Sequence, residues 1–597
     1  MVKHKRVREG GQAARAGRSP KSVPSMPLVP VKIVERMASS ASGVVTVKTT
    51  AFEDQQPGTS GLRKPLEVYT RRNYTENFVE SILRAVGPDL KGSSLVIGGD
   101  GRNHCVLAAT IAIKMSAAKK VRKVVVGKDA ILSTPAASNM IRNTSSIGGI
   151  LLTASHNPAS DFGIKFNMSN GGAAPTSFTD KVFEISKELT EYSIVPDLNI
   201  KLNRIGEFFY KIGNEDFVLQ VIDPVKSYVD LMKEIFDFPK LKNLLSDPKE
   251  PFKIVIDCMN AVTGPYAKEI FENELCAEEK SVINAVPLGD FGGGHPDPNL
   301  EYAKDLVDTM KEGKHDFGAA FDGDGDRNMI LGKEAFFVTP SDSLAVLADH
   351  IGIIPYFQKN KVTGFGRSMP TAAAIDKVAE ALNIPFYETP TGWKFFCNLL
   401  DQNKIALCGE ESFGTGSNHV REKDGIWAAL AWLSVIAQTK KPLSDIVTGH
   451  WKKYGRHFYL RCDYEHVDAK AAKEMMAVLE KEITSPQFVG SSLLGKPDIC
   501  FIVKAADNFQ YTDPTDGSVT KNQGLRVMME DGSRIIYRLS GTGSSGATIR
   551  VYIEQYEKNV NRILEDRMKV LKPLVEIAIS LAKIKKFTGR DEPTVIT

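Results

Sequence analysis

At 597 residues the chain is well past the about 250–300 at which a single core stops growing, so several domains are expected. With 42% hydrophobic and 25% charged residues it is not a disordered polymer, and a formal net charge of +4 argues against nucleic acid as its main partner. Seven scattered cysteines (Cys105, Cys258, Cys276, Cys397, Cys408, Cys462 and Cys500) form no C-x-x-C pair, which argues against a disulfide framework or a structural zinc site and points to a reduced, cytoplasmic protein.

Residues 1–44 are rich in Lys, Arg, Ser, Pro and Gly and lack the apolar segment of a secretory signal, so a disordered basic extension is expected there. From Ser94 short apolar runs alternate with segments of helical spacing: SLVIGGD, VLAATIAIKMSAAK, VRKVVVG and SIGGILLTAS. The pattern returns from FKIVIDC onward and again from VTGFG onward. It predicts β-α-β units in three similar α/β segments, 45–225, 226–349 and 350–440. The apolar stretch 425–437 is too short for the about 20 residues that span a bilayer, and reads as a buried helix. The last segment, 441–597, reads as α+β. Asp531-Gly532 between two alternating runs predicts a hairpin, ATIRVYIEQYE a strand, and 560–584 a long amphipathic helix.

Four loops at strand ends carry chemistry. The first is ThrAlaSerHisAsnPro, which presents Ser155 beside His156, with Lys165 following in DFGIKFN. Taken alone it reads as a structural turn sooner than as a reactive site, and its flanks do not make a hydrolase elbow. The second is AlaPheAspGlyAspGlyAspArg, in which Asp322, Asp324 and Asp326 alternate with glycines before Arg327. In an extended segment they face one side, and three carboxylates together call for a hard cation, Mg²⁺ or Ca²⁺. An EF-hand is excluded, since its sixth position would be Arg327 and its twelfth Lys333.

The third loop, CysGlyGluGluSerPheGly, offers Glu410, Glu411 and Ser412 to sugar hydroxyls, with Arg421 and Lys423 nearby. The fourth, 538–550, has glycines at 541, 543 and 546, but a strand rather than a helix follows, so it is not a dinucleotide loop. Backbone N–H groups flanked by Arg538 and Arg550 suit a phosphate. His295 reads as structural, and the N-x-S/T patterns at Asn73 and Asn143 as idle.

These loops, in this order and together with GlyThrSerGlyLeuArgLys at 58–64, resemble the α-D-phosphohexomutase family, and within it the glucose-phosphate members. The resemblance implies a phosphohexomutase-like architecture. Three similar α/β domains with mixed sheets and a C-terminal α+β domain surround one central cleft. It implies interconversion of glucose 1-phosphate and glucose 6-phosphate through a phosphoserine at Ser155. Mg²⁺ would be held by Ser155, Asp322, Asp324 and Asp326, with glucose 1,6-bisphosphate as activator.

By the same resemblance Lys165 is the general base, with His156 and Arg327 beside it. The substrate is met by Thr59, Arg63, Thr391, Gly392, Glu410, Ser412 and Lys423, and its far phosphate by Arg538, Ser540, Thr542 and Arg550. The expected partner is a small phosphosugar, with neither nucleic acid nor membrane span, on a monomer or weak dimer. A member of mixed glucose and mannose specificity, or a non-catalytic scaffold or signalling relative, are the alternatives. The segment after Pro158 is shorter than in glucose-type members, which leaves Ser155 and Lys165 in place.

Overall fold

A computed structural model describes residues 43–58, 60–249, 251–495, 499–543 and 546–597, and at 34–40 and 541–543 the backbone alone. Much of the expected basic extension thus lies outside the described residues. Within it, Val34–Ser40 is an edge strand, parallel to Gly206–Ile212, rather than disordered chain.

The first α/β domain is built on an eight-stranded mixed sheet. Its centre is parallel: Ser94–Gly99 lies between Lys123–Ile131 and Gly148–Leu152. All five residues of Gly148–Leu152 are buried, as a strand covered on both faces requires. Asp161–Met168 returns antiparallel, and Leu62–Pro65 pairs onto it. A five-stranded mixed sheet follows, with Phe317–Phe321 between Ile254–Asp257 and Asn328–Gly332. A four-stranded sheet comes next, with Phe365–Ser368 between Phe386–Thr389 and Leu407–Glu410. The last domain carries an antiparallel seven-stranded sheet.

Helix starts follow their capping residues. Ser133 accepts from the N–H of Ala136 before Thr134–Asn143, and Asp424 accepts from that of Trp427 before Gly425–Thr439. The latter helix is apolar on every side because nearly all of it is buried. The expected long helix at 560–584 instead begins at Arg567. Asp566 caps it by accepting from Lys569 N–H, and it stops at Leu581, before left-handed Lys583. Apolar spacing from Val560 had suggested an earlier start, and the cap overrides it.

One apolar core runs through the first three domains, joining Val96, Tyr228, Ile254, Tyr266, Phe321, Leu344, Trp427 and Trp432. The fourth domain has its own core around Phe458, Met475, Tyr537, Ile553 and Leu574. A smaller cluster, including Met369, Phe395, Tyr459 and Tyr552, lies on the seam between the third and fourth. Among the described residues no helix is long and apolar enough to cross a membrane.

Candidate active site

Ser155 sits just beyond the carboxyl end of Gly148–Leu152, 2% exposed and with a left-handed φ of +54°. Its Oγ donates to Asp322 Oδ2 at 2.8 Å and lies 3.4 Å from His156 Nδ1. Its backbone N–H donates to Thr153 Oγ1 at 2.7 Å, and that hydroxyl donates to Asp100 Oδ2 at 2.6 Å. Asp100 pairs with Arg102, whose guanidinium also donates to the carbonyls of Ser155 and Asp161, each at 2.8 Å. One buried arginine therefore ties together both ends of the serine loop. Gly323 completes the approach, because a Cβ there would stand 2.4 Å from the Ser155 carbonyl.

The three aspartates converge on a turn rather than along an extended strand. Gly325 N–H donates to the Asp322 carbonyl, and φ at Gly325 is +78°. Their carboxylate oxygens lie within 4.8 Å of one another, and all three residues are buried. Burial, then Asp326 and Asp324, push the Asp322 carboxyl well above its usual range. Burial acts on Asp324 in the same direction, but Lys165, the Thr134 hydroxyl, Lys423 and Arg63 outweigh it and hold that carboxyl down at about 2. Asp324 Oδ1 and Asp326 Oδ1 are buried with no hydrogen-bond partner. Crowded carboxylates with orphaned oxygens fit a hard divalent cation.

Cations ring the triad. Lys165 Nζ lies 3.7 Å from Asp324 and 3.6 Å from Glu422. Burial lowers its pKa, but these two carboxylates raise it further, so Lys165 is held as an ammonium. Lys423 Nζ is 3.2 Å from Asp326 and 3.9 Å from Glu410. Arg327 lies within 4.0 Å of Asp297, Asp322 and Asp326, and Arg63 donates to Asn157 at 3.2 Å. Arg63 reaches the site because Gly61, at φ +87°, passes where a Cβ would meet Lys165 Cβ at 2.6 Å. His156 is held neutral, first by burial and then by Arg327, Arg63 and Lys423.

The loops expected to face the sugar separate residues that look alike in sequence. Glu410 Oε1 accepts from the N–H of Gly392 at 3.1 Å, and Thr391 Oγ1 is buried without a partner. Ser412 is half-buried. Glu411 turns away, its carboxylate accepting from Ser368 and its N–H donating to Thr371, so it is not a sugar-facing group. Arg421, near the same loop in sequence, likewise donates to Asp401 at 2.6 Å and to the Asn418 carbonyl, so its guanidinium is engaged by the protein. His295 donates from Nε2 to the His156 carbonyl at 2.8 Å, so the ring carries its proton on Nε2 and is a positioning group.

In the fourth domain Arg538 and Arg550 stand directly opposite each other across paired strands, with Ser540 opposite Thr548. Like charges so placed repel, an arrangement that favours an anion between them. Thr59 and the side chain of Thr542 lie outside the described residues. Asp100, Arg102, Thr134 and Glu422 escaped the sequence reading. Asp100 and Arg102 follow a strand at its carboxyl end, a position that could have flagged them.

Consecutive parts of the chain match four family descriptions. "Phosphoglucomutase/phosphomannomutase, alpha/beta/alpha domain I" covers 54–193, domain II of that series 226–335 and domain III 339–454, and "Phosphoglucomutase-1, C-terminal domain" covers 456–594. The chain is 56% identical over 561 residues to phosphoglucomutase 1 of Drosophila melanogaster, covering 93% of this chain and 99% of that one. It is 54% identical to human phosphoglucomutase-1, covering 93% of this chain and 100% of that one. A crystal structure described as the exocytosis-sensitive phosphoprotein pp63/parafusin (phosphoglucomutase) of Paramecium, in an open form, superposes with a TM-score of 0.85. Its identity is 45%, over 94% of this chain and 100% of that one.

Proposed function

We infer the activity from the family the chain belongs to, the phosphoglucomutase/phosphomannomutase family: it is an intramolecular phosphotransferase that interconverts α-D-glucose 1-phosphate and glucose 6-phosphate. The observation that best supports a mechanism is the Ser155 hydroxyl, 2.8 Å from one of three buried, clustered aspartates. In this reading Ser155 carries a phosphoryl group on Oγ. A hydroxyl of the bound sugar phosphate attacks the phosphorus, the Oγ–P bond breaks, and glucose 1,6-bisphosphate results. The bisphosphate turns round, its other phosphoryl group passes to Oγ, and the isomeric monophosphate leaves.

Asp322, Asp324 and Asp326, with Ser155, would hold Mg²⁺, which supplies charge neutralisation at the transferring phosphoryl group. Arg327, Arg63 and His156 line the same space and orient the reacting oxygens. Lys165 exchanges the proton of the attacking hydroxyl. Its pairs with Glu422 and Asp324 favour the ammonium, which donates a proton to the serine oxygen as the Oγ–P bond breaks; the amine so formed accepts the proton of the attacking hydroxyl. Thr391, Gly392, Glu410 and Ser412 meet the sugar, with Lys423 and Thr59 beside them, while Arg538, Ser540, Thr542 and Arg550 take the far phosphate. Glucose 1,6-bisphosphate serves as activator by phosphorylating Ser155. Seven unpaired cysteines suit the cytoplasm.

Purified protein should convert glucose 1-phosphate to glucose 6-phosphate with Mg²⁺ and a trace of the bisphosphate, and fall silent in excess chelator. Intact mass should show one phosphate on Ser155. Equal kcat/KM for mannose phosphates would instead favour mixed specificity, and no turnover with either sugar would favour a scaffold role.

A further inference from the structure

The cation pair that grips the far phosphate belongs to a larger arrangement on one sheet face. Arg456–Val467 pairs antiparallel with Gly546–Glu557, placing Asp463 opposite Arg550 and Arg461 opposite Tyr552. Residues directly opposite share a face, so Arg538, Arg550 and Asp463 form one row across three strands, and Ile536, Tyr552 and Arg461 the next. A third row, Arg534, Glu554 and Tyr459, abuts the third domain, where Tyr459 donates to the Pro370 carbonyl at 2.9 Å and Arg534 to that of Met369 at 3.0 Å. The face with the arginines therefore looks toward the cleft, and its reverse is the apolar core of the fourth domain.

Asp463 is buried between two of the arginines. Oδ1 lies 3.2 Å from Arg461 Nε, and Oδ2 lies 3.6 Å from Arg550 Nε. Neither contact is a hydrogen bond, and Asp463 Oδ1, Arg461 Nε and Arg550 Nε are all buried without a partner. A carboxylate poised between two guanidiniums without bonding either is loosely engaged, so another anion can compete with it for them. The backbone beneath is fixed: Arg461 and Thr597 exchange N–H to carbonyl bonds of 2.9 and 3.0 Å.

We propose that Arg461 is a third cation of the phosphate grip and that Asp463 is its built-in counter-anion, which competes with the substrate's phosphate for Arg461 and Arg550. This rests on the mutase reading. Three arginines without a compensating charge would hold a phosphate dianion tightly. The bisphosphate must leave the grip and return by its other end within each cycle, so tight holding slows turnover. Asp463 lowers the affinity to a level from which the phosphate escapes, and re-pairs the arginines when it does.

The test is competitive inhibition by inorganic phosphate, measured against glucose 1-phosphate, with melting temperature recorded alongside. Asp463→Asn should tighten phosphate inhibition and lower KM, each by about 10-fold, and lower kcat, since one charge-assisted contact no longer competes. Arg461→Gln should weaken phosphate inhibition and raise KM by about 10-fold, with Arg461→Lys partway back. A merely structural ion pair would lower the melting temperature in both variants and leave phosphate inhibition unchanged; that result overturns the proposal. So does an Asp463→Asn enzyme that binds phosphate more weakly. Should Asp463→Asn fail to fold, unchanged inhibition in Arg461→Gln alone overturns it. Wild-type turnover of glucose 1-phosphate tests the mutase reading separately.

Discussion

Around Ser155, segments from three domains are cross-bonded under one continuous core. Thr134 donates to Asp324, Ser155 to Asp322, Gly425 N–H to the Gly325 carbonyl, and Arg327 forms an isolated β-bridge with Gly414. The face of the fourth domain proposed to grip phosphate is held differently. It has a core of its own and meets the third domain along one seam, through Arg534, Arg526 and Tyr459 and a small apolar cluster. The contrast follows from the chemistry. In-line transfer at phosphorus tolerates little displacement, so its groups share one rigid body. The far phosphate presents itself from either end of the sugar, so its grip must yield and re-form.

Three experiments probe that contrast, beginning with the largest effect. Ser155→Ala should abolish turnover while leaving the melting temperature near wild type, because the neighbouring Thr153 hydroxyl is committed to Asp100 and does not replace it. Wild-type-like activity would remove the rigid centre from the argument. Asp324→Asn should depress activity by at least about 100-fold, with the loss traced to weaker Mg²⁺ binding by titration. Activity persisting in excess chelator would show the aspartates to be structural. Arg550→Ala should act mainly through KM, raising it by about 10- to 150-fold, since one charged bond to phosphate is lost. Scattering should then show less compaction with substrate than in the wild type. An unchanged KM would mean that the far phosphate is gripped elsewhere.

The sequence disclosed the clustered serine and aspartates more readily than their supports. Ser155 and the three aspartates each follow an apolar run, and that position alone put them at strand ends. Asp100 and Arg102 act on the serine loop from about 50 residues away, and no local spacing reports such a contact. Glu410 and Glu411 differ only in register. The strand ends at Glu410, and Thr371 takes the next N–H, turning Glu411 inward. Arg421 and Lys423 look alike in the sequence, and only the fold shows Asp401, at the end of helix Trp393–Asp401, claiming the arginine. Alternation of strands and helices announced three α/β domains. The start of the last long helix was misplaced because apolar periodicity runs through the turn that Asp566 terminates.

The left-handed backbone of Ser155 has a consequence for the protein's durability. A side chain in that conformation costs about 1 kcal/mol relative to glycine, and the Asp100–Arg102 scaffold supplies the bonds that hold it there. Glycine at 155 would relieve that strain and could not carry a phosphoryl group. On the proposed mechanism, selection for thermal resistance and selection for turnover therefore pull this residue in opposite directions, and any gain in heat tolerance compatible with activity has to be found away from Ser155.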